Sequence, residues 1–92
     1  MRLTDLDPRW TGTPPGIKTG MNFICPCCKM RRIAVTFQNT IGGGQKLTPG
    51  GWMRRGETFD TITLYSSIDI YNHWHGHVTD GEVTTVSCKC VS

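Results

Sequence analysis

The chain has 92 residues, 37% hydrophobic and 18% charged, with 11 glycines, 5 prolines and a formal charge of +3. A chain of this length holds one hydrophobic core, which excludes multidomain enzyme architectures, and none of its apolar runs nears the roughly 20 residues that span a bilayer. The charge is unevenly spread, since residues 1–56 carry nine Lys/Arg against two Asp and residues 57–92 carry one Lys against five acids, so one half of the chain suits an acidic or phosphate-bearing partner.

Residues 1–21 hold Pro8, Gly12, Pro14, Pro15, Gly16 and Gly20 around Trp10, and that punctuation leaves neither a helical nor an alternating pattern. They read as an extended arm pinned to the core by Trp10 and Ile17. Asp5 and Asp7 stand where a secretory leader needs apolar residues, so a cytoplasmic location is expected. Met21–Ile24 and Arg32–Gln38 read as strands on either side of the knuckle Cys25-Pro26-Cys27-Cys28. Asn39–Gly51, with Gly42-Gly43-Gly44, reads as a long glycine-rich loop. Its triple glycine lacks the Lys-Ser/Thr and helix start of a phosphate-binding loop.

Trp52–Arg55 and Thr58–Leu64 read as two further strands. Tyr71–Thr79 and Glu82–Cys88 read as a hairpin closed by Asp80-Gly81, a pair suited to the two positive φ angles of a type I′ turn. No ten-residue stretch has a 3.6 period. The expected fold is mainly β: a single zinc-stabilised domain over residues 22–92 behind the arm of residues 1–21.

A core this small needs a staple. With five cysteines and no leader, a metal is expected in that role ahead of disulfides. Cys25 and Cys28 have the Cys-x-x-Cys spacing that lets two thiolates reach one tetrahedral zinc at about 2.3 Å. The second half is sought in residues 73–90. Counting outward from Asp80-Gly81, His77 faces Thr84, His75 faces Val86 and His73 faces Cys88, with all three histidines on one face of the strand. Either His73 or His75 reaches Cys88 across the ladder. Cys90 is a spare thiol or a ligand in place of Cys88, and Cys27 is a packing or exposed thiol.

The order Phe23-Ile24-Cys25-Pro26-Cys27-Cys28, Trp52 with Thr58-Phe59, Leu64-Tyr65-Ser66-Ser67-Ile68 and His75-Gly76-His77-Val78-Thr79-Asp80-Gly81 resembles a family of small, uncharacterised phage and prophage proteins with zinc-ribbon-like folds, often labelled ammonia monooxygenases. The family pattern has Cys-Pro-Gly-Cys, a Trp with a downstream Thr-Phe, Leu-Ser-Pro-Ser-Ile, and Cys-His-Ser-Phe-Val before an Asp-Gly turn and a late Cys. The resemblance spans residues 23–88. It implies Zn²⁺ held by Cys25, Cys28, His75 and a late cysteine, with Cys88 the expected one and Cys90 its alternate. Two departures stand out: Trp74 replaces the cysteine before the family's histidine, and Ser66 replaces its proline.

A closed Cys3His site has no open position for water, so the metal would stabilise the fold and the activity would lie on the surface. The repeated tripeptides Met30-Arg31-Arg32 and Met53-Arg54-Arg55 offer guanidinium forks, and Trp52 offers a stacking face. Arg31, Arg32, Trp52, Arg54 and Arg55 are therefore the expected partner-binding residues. A small cytoplasmic protein of phage type with a basic half is expected to dock on host nucleic-acid machinery without catalysing a reaction. The target would be a host protein or protein–nucleic-acid complex, with the protein inhibiting a host defence complex of CRISPR type. The alternatives are a nucleic-acid-binding modulator of transcription and a small zinc-dependent hydrolase built on His73, His75 and His77.

Overall fold

A computed structural model describes residues 1–13, 16–41 and 51–89, and these form eight strands in three small antiparallel sheets. The first sheet has β1 (Arg9–Thr13), β2 (Ile17–Ile24) and β3 (Arg32–Ile41) in chain order. The second pairs β4 (Met53–Arg55) with β5 (Thr63–Tyr65), and the third runs β6 (Ile68–Ile70), β7 (Trp74–Thr79), β8 (Glu82–Cys88). Every pairing joins strands consecutive in sequence, so hairpins supply the whole topology. A parallel bridge from Phe37 to Trp52, with Gln38 N–H donating to Trp52 O and Trp52 N–H to Thr36 O, both 2.8 Å, ties the first sheet to the second.

Period-2 alternation decides which side chains enter the core. On β3, Ile33, Val35 and Phe37 are buried while Arg32, Ala34 and Thr36 are exposed. On β2, Met21 and Phe23 are buried, and the same alternation carries Cys25, the next residue after the strand, inward. On β7, Trp74, Gly76 and Val78 face in. Trp74 meets Phe23 edge-on at 6.2 Å, joining the third sheet to the first directly behind the knuckle.

Residues 1–21 are not an extended arm. Leu3–Leu6 forms a 3-10 turn with both leucines buried, and β1 and β2 make a hairpin with Thr13 opposite Ile17. Gly12 and Gly20, which suggested an arm, lie within the paired strands themselves. Trp10 does serve as a pin, stacked on Phe59 at 4.0 Å, edge-on to Phe37 at 6.1 Å, with the Lys18 ammonium 4.9 Å over its ring. Leu3 N–H also donates to Gly81 O (2.7 Å), fastening the N-terminus to the Asp80-Gly81 turn.

Other boundaries move as well. β3 continues to Ile41, so the strand takes the first residues of the expected loop, and positions 42–50, including Gly42-Gly43-Gly44, lie outside the described residues. The expected strand Thr58–Leu64 is a turn through Ile62, with Ile62 N–H bonded to Thr58 O, and only Thr63–Tyr65 pairs with β4. Asp80 (φ 47°) and Gly81 (φ 71°) adopt the left-handed angles of the turn expected there. A Cβ on Gly81 would lie 2.6 Å from the carbonyl oxygens of Phe59 and Asp60, so this turn packs against the 58–62 turn backbone to backbone.

Candidate metal centre

Cys25 follows β2 directly. Its N–H donates to Arg31 O (2.8 Å) and its carbonyl accepts from Lys29 N–H (3.0 Å), which folds residues 25–31 into a compact knuckle between β2 and β3. Lys29 takes a left-handed φ of 57° to close it. Cys25 is fully buried and Cys28 half-buried.

The third donor is His73. Cys28 Sγ and His73 Nε2 lie 3.8 Å apart, and the donor atoms of Cys25, Cys28 and His73 all fall within 4.8 Å of one another. Two thiols and an imidazole, drawn from points 45 residues apart in sequence, could hold a metal ion. The imidazole is only 7% exposed.

His73 is available to this group because it is not in a strand. β6 ends at Ile70 and β7 begins at Trp74, so Tyr71, Asn72 and His73 form a three-residue hairpin loop, with Asn72 at φ 54° and His73 N–H bonded to Ile70 O at 2.9 Å. Strand alternation stops at the loop, and the ring turns toward the knuckle instead of sharing a face with His75 and His77. Asn72, a residue that tolerates the left-handed region, is the sequence signal that marks this loop.

His75 and Cys88, expected as ligands, lie outside the group for identifiable reasons. His75 stays in β7, opposite Asp69 of β6 and Ser87 of β8, on the outer face. The register of β7 with β8 runs as expected from Thr79–Glu82 through His77–Thr84, then shifts by one between His75 and Gly76, placing Cys88 opposite Trp74. Where a Gly76 Cβ would project, Trp74 Cζ2 lies 2.3 Å away, and Trp74 Nε1 donates to Thr85 Oγ1 at 3.0 Å. The indole crosses the strand at a position where only glycine leaves room, and Val86, absent from the pairing, is the extra residue of the bulge.

The structure joins Cys88 instead to Cys27 as a disulfide, with Cα atoms 6.2 Å apart and a sequence separation of 61. Both cysteines are exposed. A covalent tie and a candidate metal group thus stand side by side. Cys90 lies outside the described residues.

The two arginine pairs do not share one patch. Arg32, on the exposed face of the first sheet, is held by its neighbours, with Nε donating to Asn22 Oδ1, NH1 to Asp7 Oδ2 at 3.2 Å and NH2 to Asp7 O. Arg54 is half-buried, with its guanidinium 5.7 Å over the Phe37 ring and NH1 donating to Gly56 O at 2.9 Å. Burial pushes that guanidinium below its ordinary value, while the charge of Glu57 acts in the opposite sense. Phe37 stands five residues along β3 from Arg32, about 16 Å at strand rise, so the pairs occupy separated places. Arg31 and Arg55 are exposed, and Trp52 is half-buried with its indole N–H bonded to Ser67 O at 3.2 Å.

No family model, curated protein or solved structure matches this chain in comparisons with known proteins.

Proposed function

We propose that the protein is a zinc-stabilised, zinc-ribbon-like β module that binds a partner and catalyses no reaction. The observation that carries this reading is the approach of the Cys25, Cys28 and His73 donors to within 4.8 Å. Two thiolates and an imidazole suit Zn²⁺ above magnesium or calcium, which prefer oxygen donors. Cys90 is the fourth donor in this reading. Cys90 lies outside the described residues and enters this reading as the remaining late cysteine, since Cys88 is engaged with Cys27. Four protein donors around buried His73 and Cys25 leave the ion a structural role.

The partner belongs to host nucleic-acid machinery in this proposal, in line with the basic character of residues 1–56 and the resemblance to small phage and prophage proteins. The contact falls to exposed Arg31 and Arg55, since Arg32 and Arg54 have structural work within the chain. Elemental analysis of the purified protein, joined to a melting curve with and without chelator, tests the metal reading. One zinc per chain and a large loss of melting temperature on chelation are expected. Metal well below one equivalent, or an unchanged curve, overturns it.

A further inference from the structure

His75 and His77 are left outside the Cys25–Cys28–His73 group, on the opposite side of β7 from buried Trp74, Gly76 and Val78. They are successive outward residues of a central strand, with ring centroids 6.2 Å apart and planes inclined at 39°. His77 is exposed and His75 half-buried. Two imidazole nitrogens bound to one ion at about 2.0–2.1 Å lie about 3.3 Å apart, which sets their ring centres about 5–6 Å apart. The observed spacing is within a small side-chain rotation of that arrangement.

A carboxylate stands beside the pair. Asp69 of β6 is the register partner of His75 and is itself exposed. Directly opposed residues of an antiparallel ladder share a face, with Cβ atoms about 4.5–5.5 Å apart. A cavity of about 180 Å³ is lined by Asp69, His75 and Ser87, with His73 and Lys89 also on its wall, so the space next to the carboxylate and the first imidazole is open to solvent molecules while His77 stands outside it.

We propose that His75, His77 and Asp69 form a second, open metal site on the outer face of the β6–β7–β8 sheet, for a borderline divalent transition ion such as Ni²⁺, Cu²⁺ or Zn²⁺. Imidazole and carboxylate donors without a thiolate match this class of ion. Three protein donors leave coordination positions for water or a small anion, which the cysteine group with its buried donors does not. The site shares no donor with the zinc reading above, and it differs from a three-histidine arrangement in leaving His73 with the cysteines.

The test is a calorimetric titration of the protein as purified with Ni²⁺, together with amide and imidazole NMR spectra during the same titration. One Ni²⁺ per chain is expected, with paramagnetic broadening that begins at Asp69, His75 and His77 and leaves the knuckle signals sharp. His77→Ala should abolish the heat of binding in that concentration range, and Asp69→Asn should weaken binding about tenfold, the scale on which groups around a metal tune its affinity. Equal Ni²⁺ affinity in the double variant His75→Ala/His77→Ala overturns the proposal, as does broadening centred elsewhere in the wild type. The wild-type spectra need no variant to fold.

Discussion

Replacing His73 by Ala separates two ligand sets, because the sequence pattern points to His75 and the structure brings His73 to the cysteines. A structural zinc is worth about 10–16 kcal/mol of apparent binding free energy at neutral pH, so one of four donors carries on the order of 3–4 kcal/mol, or 10²–10³ in affinity. A 92-residue domain has a total stability of only about 5–14 kcal/mol. In the proposed zinc-stabilised domain, loss of one donor is therefore expected to remove a large part of the folding free energy. The ring is also 7% exposed and fills space next to Cys28, so its removal leaves a gap as well.

The assay is competition with a chromophoric zinc chelator, run beside thermal melts of His73→Ala, His75→Ala and the wild type. His73→Ala should give up its metal to a chelator two to three orders of magnitude weaker and melt far lower. His75→Ala, altered on the outer face, should match the wild type in both. Substitution with Co²⁺ adds an independent readout, since the thiolate-to-metal absorption reports the number of sulfur ligands and should drop in Cys90→Ser. Wild-type metal affinity in His73→Ala, with loss in His75→Ala, refutes the placement of the site.

Trp74→Ala should cost about 3–5 kcal/mol in a denaturant titration, because the indole is 1% exposed, packs edge-on against Phe23 and donates to Thr85; Trp74→Phe should cost distinctly less by keeping the ring contact. Gly81→Ala should destabilise by about 2 kcal/mol, since it adds a side chain at φ 71° and drives a Cβ to 2.6 Å from two carbonyl oxygens; an unchanged melt would mean the turn is not docked as described. Arg31→Glu with Arg55→Glu should leave the melt within about 0.5 kcal/mol of wild type while weakening partner binding. Arg32→Glu should cost about 1 kcal/mol through its lost bonds to Asp7 and Asn22, a difference that a melt resolves.

Local chemistry was legible where the outcome was local. Asp80-Gly81 declared its turn because few residues accept two positive φ angles in succession, and the β-branched run of Arg32–Gln38 declared its strand. The hairpin count failed four residues from that turn, at Gly76, because the cause of the bulge is the Trp74 indole lying across the strand, which residue spacing does not encode. His73 was misplaced with its neighbours because the three histidines look like one alternating series; Asn72 ends the series, and its meaning emerges only when β6 is known to lie before it. Leu3 and Leu6 were hidden by the prolines around them, although their three-residue spacing fits one turn of 3-10 helix. The two Met-Arg-Arg repeats are identical as text and differ wholly in surroundings: Asp7 and Asn22 receive Arg32, and Phe37 receives Arg54.

All three sheets are built from hairpins of neighbouring strands, whereas the knuckle meets His73 across 45 residues and Cys27 meets Cys88 across 61. This division sets an order of events during synthesis. Hairpins form in about 1–10 μs, far faster than a ribosome adds a residue, so the β1–β2–β3 sheet can pair while the rest of the chain is still being made. The cysteine pair of the knuckle then waits for residue 73, and closing a loop of 45 residues costs about 3 kcal/mol in chain entropy before any contact repays it. Completion of the domain is thus deferred until residues 73–88 are available, after the first sheet has paired, and the redox state of Cys27 and Cys88 at that moment governs how much of the newly made chain reaches the folded state.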